Sequence, residues 1–196
     1  DCAACHSLAE GPNKFSVDGV REKCLACHSE IETQTAKGAS AHAPAKQGQC
    51  VKCHAPHGSD HSWFLAKASG EVCLDCHKQT LGEKSTHRPY QNRDCILCHR
   101  GHASSSPRLL RATASELCLR CHKKESFKGS VVHAPVEDNC MNCHRSHTSN
   151  HAKLLVQPPP ELCQNCHDDK KVDPNKTTHP PFSNGECVQC HAPHTS

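Results

Sequence analysis

Cys50-Val51-Lys52-Cys53-His54 decides how this chain is read. The same pattern, Cys-x-x-Cys-His, starts again at Cys2, Cys24, Cys73, Cys95, Cys118, Cys140, Cys163 and Cys187. The second cysteines of the nine copies are Cys5, Cys27, Cys53, Cys76, Cys98, Cys121, Cys143, Cys166 and Cys190. Nine copies use eighteen cysteines, which is every cysteine in the chain.

The spacing has a chemical reason. Two thiols three positions apart lie on one helical turn, where both can form thioethers to the two vinyl groups of one porphyrin. The His that follows is carried over the ring face and can bind the iron. Cys-x-x-Cys-His is the attachment signature of a c-type haem. A disulfide framework also uses many cysteines, but it does not demand a His after every pair. Zinc sites combine paired Cys with His, but they do not need nine identical pentapeptides. The cofactor implied is covalent haem c, nine per chain.

Composition points the same way. The hydrophobic class is 35% and includes all eighteen Cys, with only one Trp, one Tyr and four Phe. So polar a chain cannot bury enough apolar side-chain area to offset its conformational entropy. Sharing 196 residues among nine motifs leaves about 22 per haem, so the porphyrins become the core and the chain wraps them. The formal charge of +3 changes sign on loading. A bis-ligated ferric haem c carries about −1, which takes the total to roughly −6, and to roughly −15 when reduced. The lysines then serve propionates, and no basic block argues for nucleic acid. No apolar run approaches membrane-spanning length. The chain opens at Asp1-Cys2 with no signal peptide, and Cys2 belongs to a haem motif rather than a lipid anchor. Haem c is attached outside the cytoplasmic membrane, so the expectation is a mature exported chain, extracellular or periplasmic.

The motif starts are separated by 22, 26, 23, 22, 23, 22, 23 and 24 residues, and two kinds alternate. First-type motifs, at Cys24, Cys73, Cys118 and Cys163, have no His close behind them. Second-type motifs, at Cys50, Cys95, Cys140 and Cys187, continue as His-x-x-His: His54/His57, His99/His102, His144/His147 and His191/His194. Seven or eight residues before each second-type motif stands another His: His42, His87, His133 and His179. Prolines follow, as in His42-Ala43-Pro44, His133-Ala134-Pro135 and His179-Pro180. The unit repeats every 45 to 49 residues and carries two haems. This divides the chain into a half repeat over 1–23 and two-haem repeats over 24–72, 73–117, 118–162 and 163–196, together one continuous haem-wrapped unit.

Phe64-Leu65, Leu109-Leu110 and Leu154-Leu155 each end eight residues before the next Cys, and Phe15-Ser16 holds the same place before Cys24. Their burial tendency predicts packing on porphyrin faces. Ser69, Ser115 and Pro158-Pro159-Pro160 mark the starts of short Cys-containing helices. The predicted fold class is a multihaem cytochrome c: mostly coil and turns, short helices at the motifs, little or no β, an elongated repeat array around a haem core.

Residues 48–57, Gly-Gln-Cys-Val-Lys-Cys-His-Ala-Pro-His, and residues 185–194, Gly-Glu-Cys-Val-Gln-Cys-His-Ala-Pro-His, carry a resemblance. Over roughly 24–196 the chain resembles the doubled-CxxCH family of multihaem cytochromes. The resemblance implies electron carriage by bis-His haems. In haem density the chain is also similar to small extracellular cytochromes that polymerise into haem wires.

The motifs supply nine proximal ligands: His6, His28, His54, His77, His99, His122, His144, His167 and His191. Eight further His recur in register and are candidate distal ligands: His42, His57, His87, His102, His133, His147, His179 and His194. His61 and His151, each seven residues after a proximal His, complete the nineteen. The only Met, Met141, lies inside a haem-binding loop, so His/His ligation and low reduction potentials are expected. A His three residues after a proximal ligand cannot easily reach the far face of the same ring. His57, His102, His147 and His194 are therefore expected to ligate a neighbouring haem.

The first motif departs from the pattern, because Ala9 stands where the second His should be. Eight distal His for nine irons leave one short. His61 or His151 could fill the gap, a second copy could supply a His, or the first iron could be five-coordinate. The leading function is electron transfer among closely spaced haems, with redox proteins or extracellular acceptors as partners. A quasi-linear repeat lacking one terminal ligand suits head-to-tail self-association into a filament; a monomeric periplasmic shuttle is the alternative. The rival class is a reductase of nitrogen or sulfur oxyanions at an open first haem. No stretch between motifs is long enough to build a substrate pocket, so the expectation is not an enzyme.

Overall fold

The computed structural model describes residues 5–6, 19–80, 84–173, 175–176 and 178–195. Cys2, Ala9 and Phe15-Ser16 lie outside the described residues. Two compact units emerge. One takes the described residues of 1–79 and 93–113, the other those of 80–92 and 114–196. The division cuts across the sequence repeats, because short strands pair one repeat with the next.

A protein core of the ordinary kind is absent among the described residues. Val20 and Ala103 are the buried apolar residues there, and Thr35, Ser104 and Ser149 the buried polar ones. Burial on that scale cannot offset the entropy of ordering the chain. Backbone order comes instead from short elements that begin or end beside a motif.

Helix α1, Val20–Leu25, carries Cys24, and helix α2, Ser29–Lys37, follows directly after that motif's His28. In α2, Glu30 and Glu32 sit in the first turn and Lys37 in the last, matching the helix dipole. The other first-type cysteines ride on Ser69–Leu74, Ala114–Cys118 and Glu161–Gln164. Second-type motifs use tighter single turns at Cys50–Lys52, Cys140–Asn142 and Cys187–Gln189, and a four-residue helix at Cys95–Cys98. Each upstream His caps a helix of four or five residues with Pro in its first turn: Ala43–Lys46, Arg88–Gln91, Ala134–Asp138 and Pro180–Ser183. Proline preset to a helical φ starts these turns directly after the histidine.

The strands are two residues each: β1 Ser40–Ala41, β2 Ser85–Thr86, β3 Ala103–Ser104 and β4 Thr148–Ser149. β1 pairs with β3 in the first unit and β2 with β4 in the second, both antiparallel. Gly48 (φ 71°) and Gly185 (φ 70°) turn the chain into their motifs. A Cβ at Gly48 would lie 2.5 Å from the Cβ of Arg21, and one at Gly185 would lie 2.6 Å from Cγ of Pro160. Only glycine fits either place. Arg93 takes the same left-handed conformation (φ 64°) before Cys95, and its guanidinium pairs with Glu71.

Candidate axial-ligand pairs and haem attachment

Every motif from Cys24 onward closes one helical turn. The His N–H donates to the carbonyl of the first Cys at 2.9–3.0 Å in all eight. This four-residue bond puts both thiols and the imidazole on one turn. No disulfide joins the described cysteines. Burial, followed by the neighbouring Cys95 thiol, pushes Cys73 up to about 11. Burial and then Cys50 raise Cys24, and burial and then Cys187 raise Cys163. Cys53 and Cys143 are raised by burial and then by Cys76 and Cys166. Thiols of consecutive motifs are thus electrostatic neighbours.

The imidazoles face each other in twos. In the first unit His6 faces His57 with ring centroids 5.7 Å apart, His42 faces His77 at 6.0 Å, and His54 faces His102 at 5.9 Å. In the second, His87 faces His122 at 6.2 Å, His133 faces His167 at 6.0 Å, and His144 faces His194 at 6.0 Å. Each pair joins a proximal His to a distal candidate. First-type His pair with an upstream His 34 or 35 residues earlier; second-type His pair with the last His of the next His-x-x-His, 48 to 51 residues later. His57, His102 and His194 therefore meet a neighbouring motif's His rather than their own.

The gap suits one metal. His6 and His57 approach at 3.5 Å between Nε2 atoms. Two metal–imidazole bonds of about 2.0 Å would set them roughly 4 Å apart. Among the described residues no group of three or more His, Cys, Asp or Glu could hold an ion, so the donors come in facing twos.

One ring of each of the five other pairs is anchored at its outer nitrogen. Nδ1 of His42, His87 and His133 meets the carbonyls of Gly101 (2.9 Å), Ser146 (3.0 Å) and Pro193 (3.0 Å). Nδ1 of His54 and His144 meets the carbonyls of Trp63 (2.9 Å) and Lys153 (3.0 Å), and His99 meets Arg108 likewise (3.0 Å). A carbonyl only accepts, so Nδ1 carries the proton and Nε2 keeps its lone pair for a metal. Burial and then the facing His54 hold His102 below the ordinary imidazole range; burial and then His144 do the same for His194. Both effects favour the neutral, coordinating form.

The carbonyls that anchor His54, His99 and His144 belong to unusual turns. Trp63-Phe64, Arg108-Leu109 and Lys153-Leu154 all take positive φ, between 53° and 59°. The residue after each turn bridges back to the proximal His: Leu65 to His54, Leu110 to His99, Leu155 to His144. Hydroxyls of Ser59, Ser104 and Ser149 donate to the Leu65, Leu110 and Leu155 carbonyls. The residue just before each apolar pair noted in the sequence thus anchors the proximal imidazole, and the pair's own backbone closes the turn. Nothing in their composition signals this, since none is glycine.

The upstream histidines join the next repeat by backbone as well. N–H of His42, His87 and His133 donates to the carbonyl of His102, His147 and His194 at 2.8, 2.8 and 3.0 Å. Two distal candidates for different irons therefore share one backbone bond. Tyr90 stacks on His147 at 4.5 Å, and Phe127 meets His194 edge-on at 5.2 Å. His61 and His151 take equivalent places, each with its N–H donating to Ser59 or Ser149 Oγ (2.9 and 3.0 Å), and neither ring faces a proximal His among the described residues. Nδ1 of His28 lies 3.5 Å from Glu30.

The model of the doubled CXXCH motif family matches residues 42–82, 87–127 and 133–172, more than half of the chain. Each match starts at or beside an upstream His, so the family's unit runs from His42, His87 or His133 through the first-type motif that faces it. No curated protein matches the chain. The chain belongs to the doubled-CXXCH family of multihaem c-type cytochromes, which bind haem covalently and transfer electrons.

Proposed function

We propose that this chain is an exported electron conduit of nine haems with His/His ligation, and not an enzyme. The facing imidazole pairs carry the reading. Bound haem supplies a reversible one-electron couple at its iron. The protein's part is to hold and orient. The thiols of each motif would tether the haem, and the motif His and the His facing it would supply the nitrogen donors that hold it. A carbonyl-anchored imidazole keeps its direction through the redox change, so little reorganisation opposes transfer. No described helix is long and apolar enough to cross a membrane.

His57 faces His6, which supports a two-ligand iron at the first motif. We propose in addition that copies associate head to tail, since heterologous contacts between repeat units that do not close give filaments.

Electron paramagnetic resonance of the oxidised holoprotein across a concentration series, alongside sedimentation, tests this. The proposal expects low-spin iron throughout and assemblies that lengthen with concentration. Low-spin monomers at every concentration would refute the assembly reading. High-spin iron that binds nitrite or sulfite in the assembled protein would favour the reductase.

A further inference from the structure

Two serines hold matching places in the two units. Ser40 opens β1, two residues before His42. Its Oγ donates to the Ser106 carbonyl (2.6 Å) and accepts from the Leu109 N–H (2.9 Å). Ser85 opens β2, two residues before His87. Its Oγ donates to the His151 carbonyl (2.5 Å) and accepts from the Leu154 N–H (3.0 Å). Each serine reaches across 66 and 69 residues of sequence to clamp both sides of a left-handed turn.

Those turns contain Arg108-Leu109 (φ 57° and 59°) and Lys153-Leu154 (φ 56° and 59°). Side chains disfavour this conformation, and it persists only where surroundings over-determine it. The clamped turns present the carbonyls of Arg108 and Lys153 to Nδ1 of His99 and His144. The third such turn, Trp63-Phe64, has no serine from another strand among the described residues, and serves as an internal reference.

We infer that Ser40 and Ser85 are positioning residues for axial ligation, each tying together the ligands of two consecutive motifs. Ser40 links His42, which faces His77, to the proximal anchor of His99. Ser85 links His87, which faces His122, to the proximal anchor of His144. Hydrogen bonding at Nδ1 raises imidazole basicity and favours the oxidised iron, lowering its potential. Loss of the hydroxyl releases the turn, weakens the anchor and raises the potential of one iron.

This rests on the nine-haem reading, so haem content by mass is measured first in every variant. Nine haems in the wild type uphold that reading independently of the clamp. Potentiometric titration of Ser40→Ala and Ser85→Ala is then expected to show one haem in nine moved upward. A threefold change in its ferric-to-ferrous ratio corresponds to about 28 mV at 59 mV per tenfold. Ser40→Thr and Ser85→Thr keep the hydroxyl and should titrate as wild type. Unmoved potentials in both Ala variants, a shift spread over all nine haems, or Thr variants behaving as Ala would each overturn the inference. Hydrogen exchange in the wild type needs no variant: amides of Leu109 and Leu154 should exchange at least tenfold more slowly than that of Phe64. Equal rates would overturn the clamp even if the Ala variants fail to load.

Discussion

Replacing His57 by Ala should open one iron and only one. His57 faces His6 with centroids 5.7 Å apart and Nε2 atoms 3.5 Å apart. A metal between two imidazoles needs roughly 4 Å, so a shift of about half an ångström admits it. Alanine leaves no donor on that side. Cys2, Cys5 and His6 are untouched, so the haem stays tethered and the haem count holds at nine. His57 is exposed, so truncation should cost the fold under about 0.5 kcal/mol. The local effect is large: the iron at His6 keeps one strong ligand and becomes high-spin. Its potential should rise on the order of 0.1 V, within the roughly 0.8 V that axial ligands span. The assay is low-temperature paramagnetic resonance with spin quantitation, followed by redox titration. The expected result is a high-spin signal from one iron in nine, absent in wild type and in His61→Ala. A His57→Ala spectrum identical to wild type at matched concentration would refute the pairing of His6 with His57.

Other outcomes follow from the backbone. Gly48→Ala should destabilise by about 1–3 kcal/mol, because its φ is 71° and the new Cβ meets Arg21 at 2.5 Å; chemical denaturation at constant haem content measures it. Lys153→Val should cost about 1–2 kcal/mol, since a β-branched residue is forced to φ 56°, whereas Lys153→Gly should stay within about 1 kcal/mol of wild type; thermal midpoints compare the two. Lys67→Ala removes a 2.7 Å ion pair to Asp75 whose side chains are about half exposed, and should cost under about 1 kcal/mol, less still at high salt.

Much of the site was legible in the sequence, because covalent chemistry leaves a residue signature. The Cys-x-x-Cys-His copies named the proximal histidines, and the His-x-x-His and upstream His registers named the candidates that face them. His57, His102 and His194, expected to ligate a neighbouring haem, each lie opposite the His of another motif. The partner intervals were not legible. An upstream His passes over the second-type motif beside it to meet a first-type His 34 or 35 residues on, and nothing in one chain's spacing dictates that crossing. The left-handed turns were also hidden. Leu109-Leu110 and Leu154-Leu155 read as apolar packing, while their working groups are backbone carbonyls and amides held by serine hydroxyls. Positive φ usually announces itself as glycine, and here Trp, Phe, Arg, Lys and Leu adopt it.

The most direct measurement is the mass of the denatured holoprotein, taken together with the spin state of its iron. Nine covalently retained haems per chain are expected, with iron low-spin in the assembled form. A mass without haem, with haem lost on denaturation, or with predominantly high-spin iron would contradict a conduit built from facing histidine pairs.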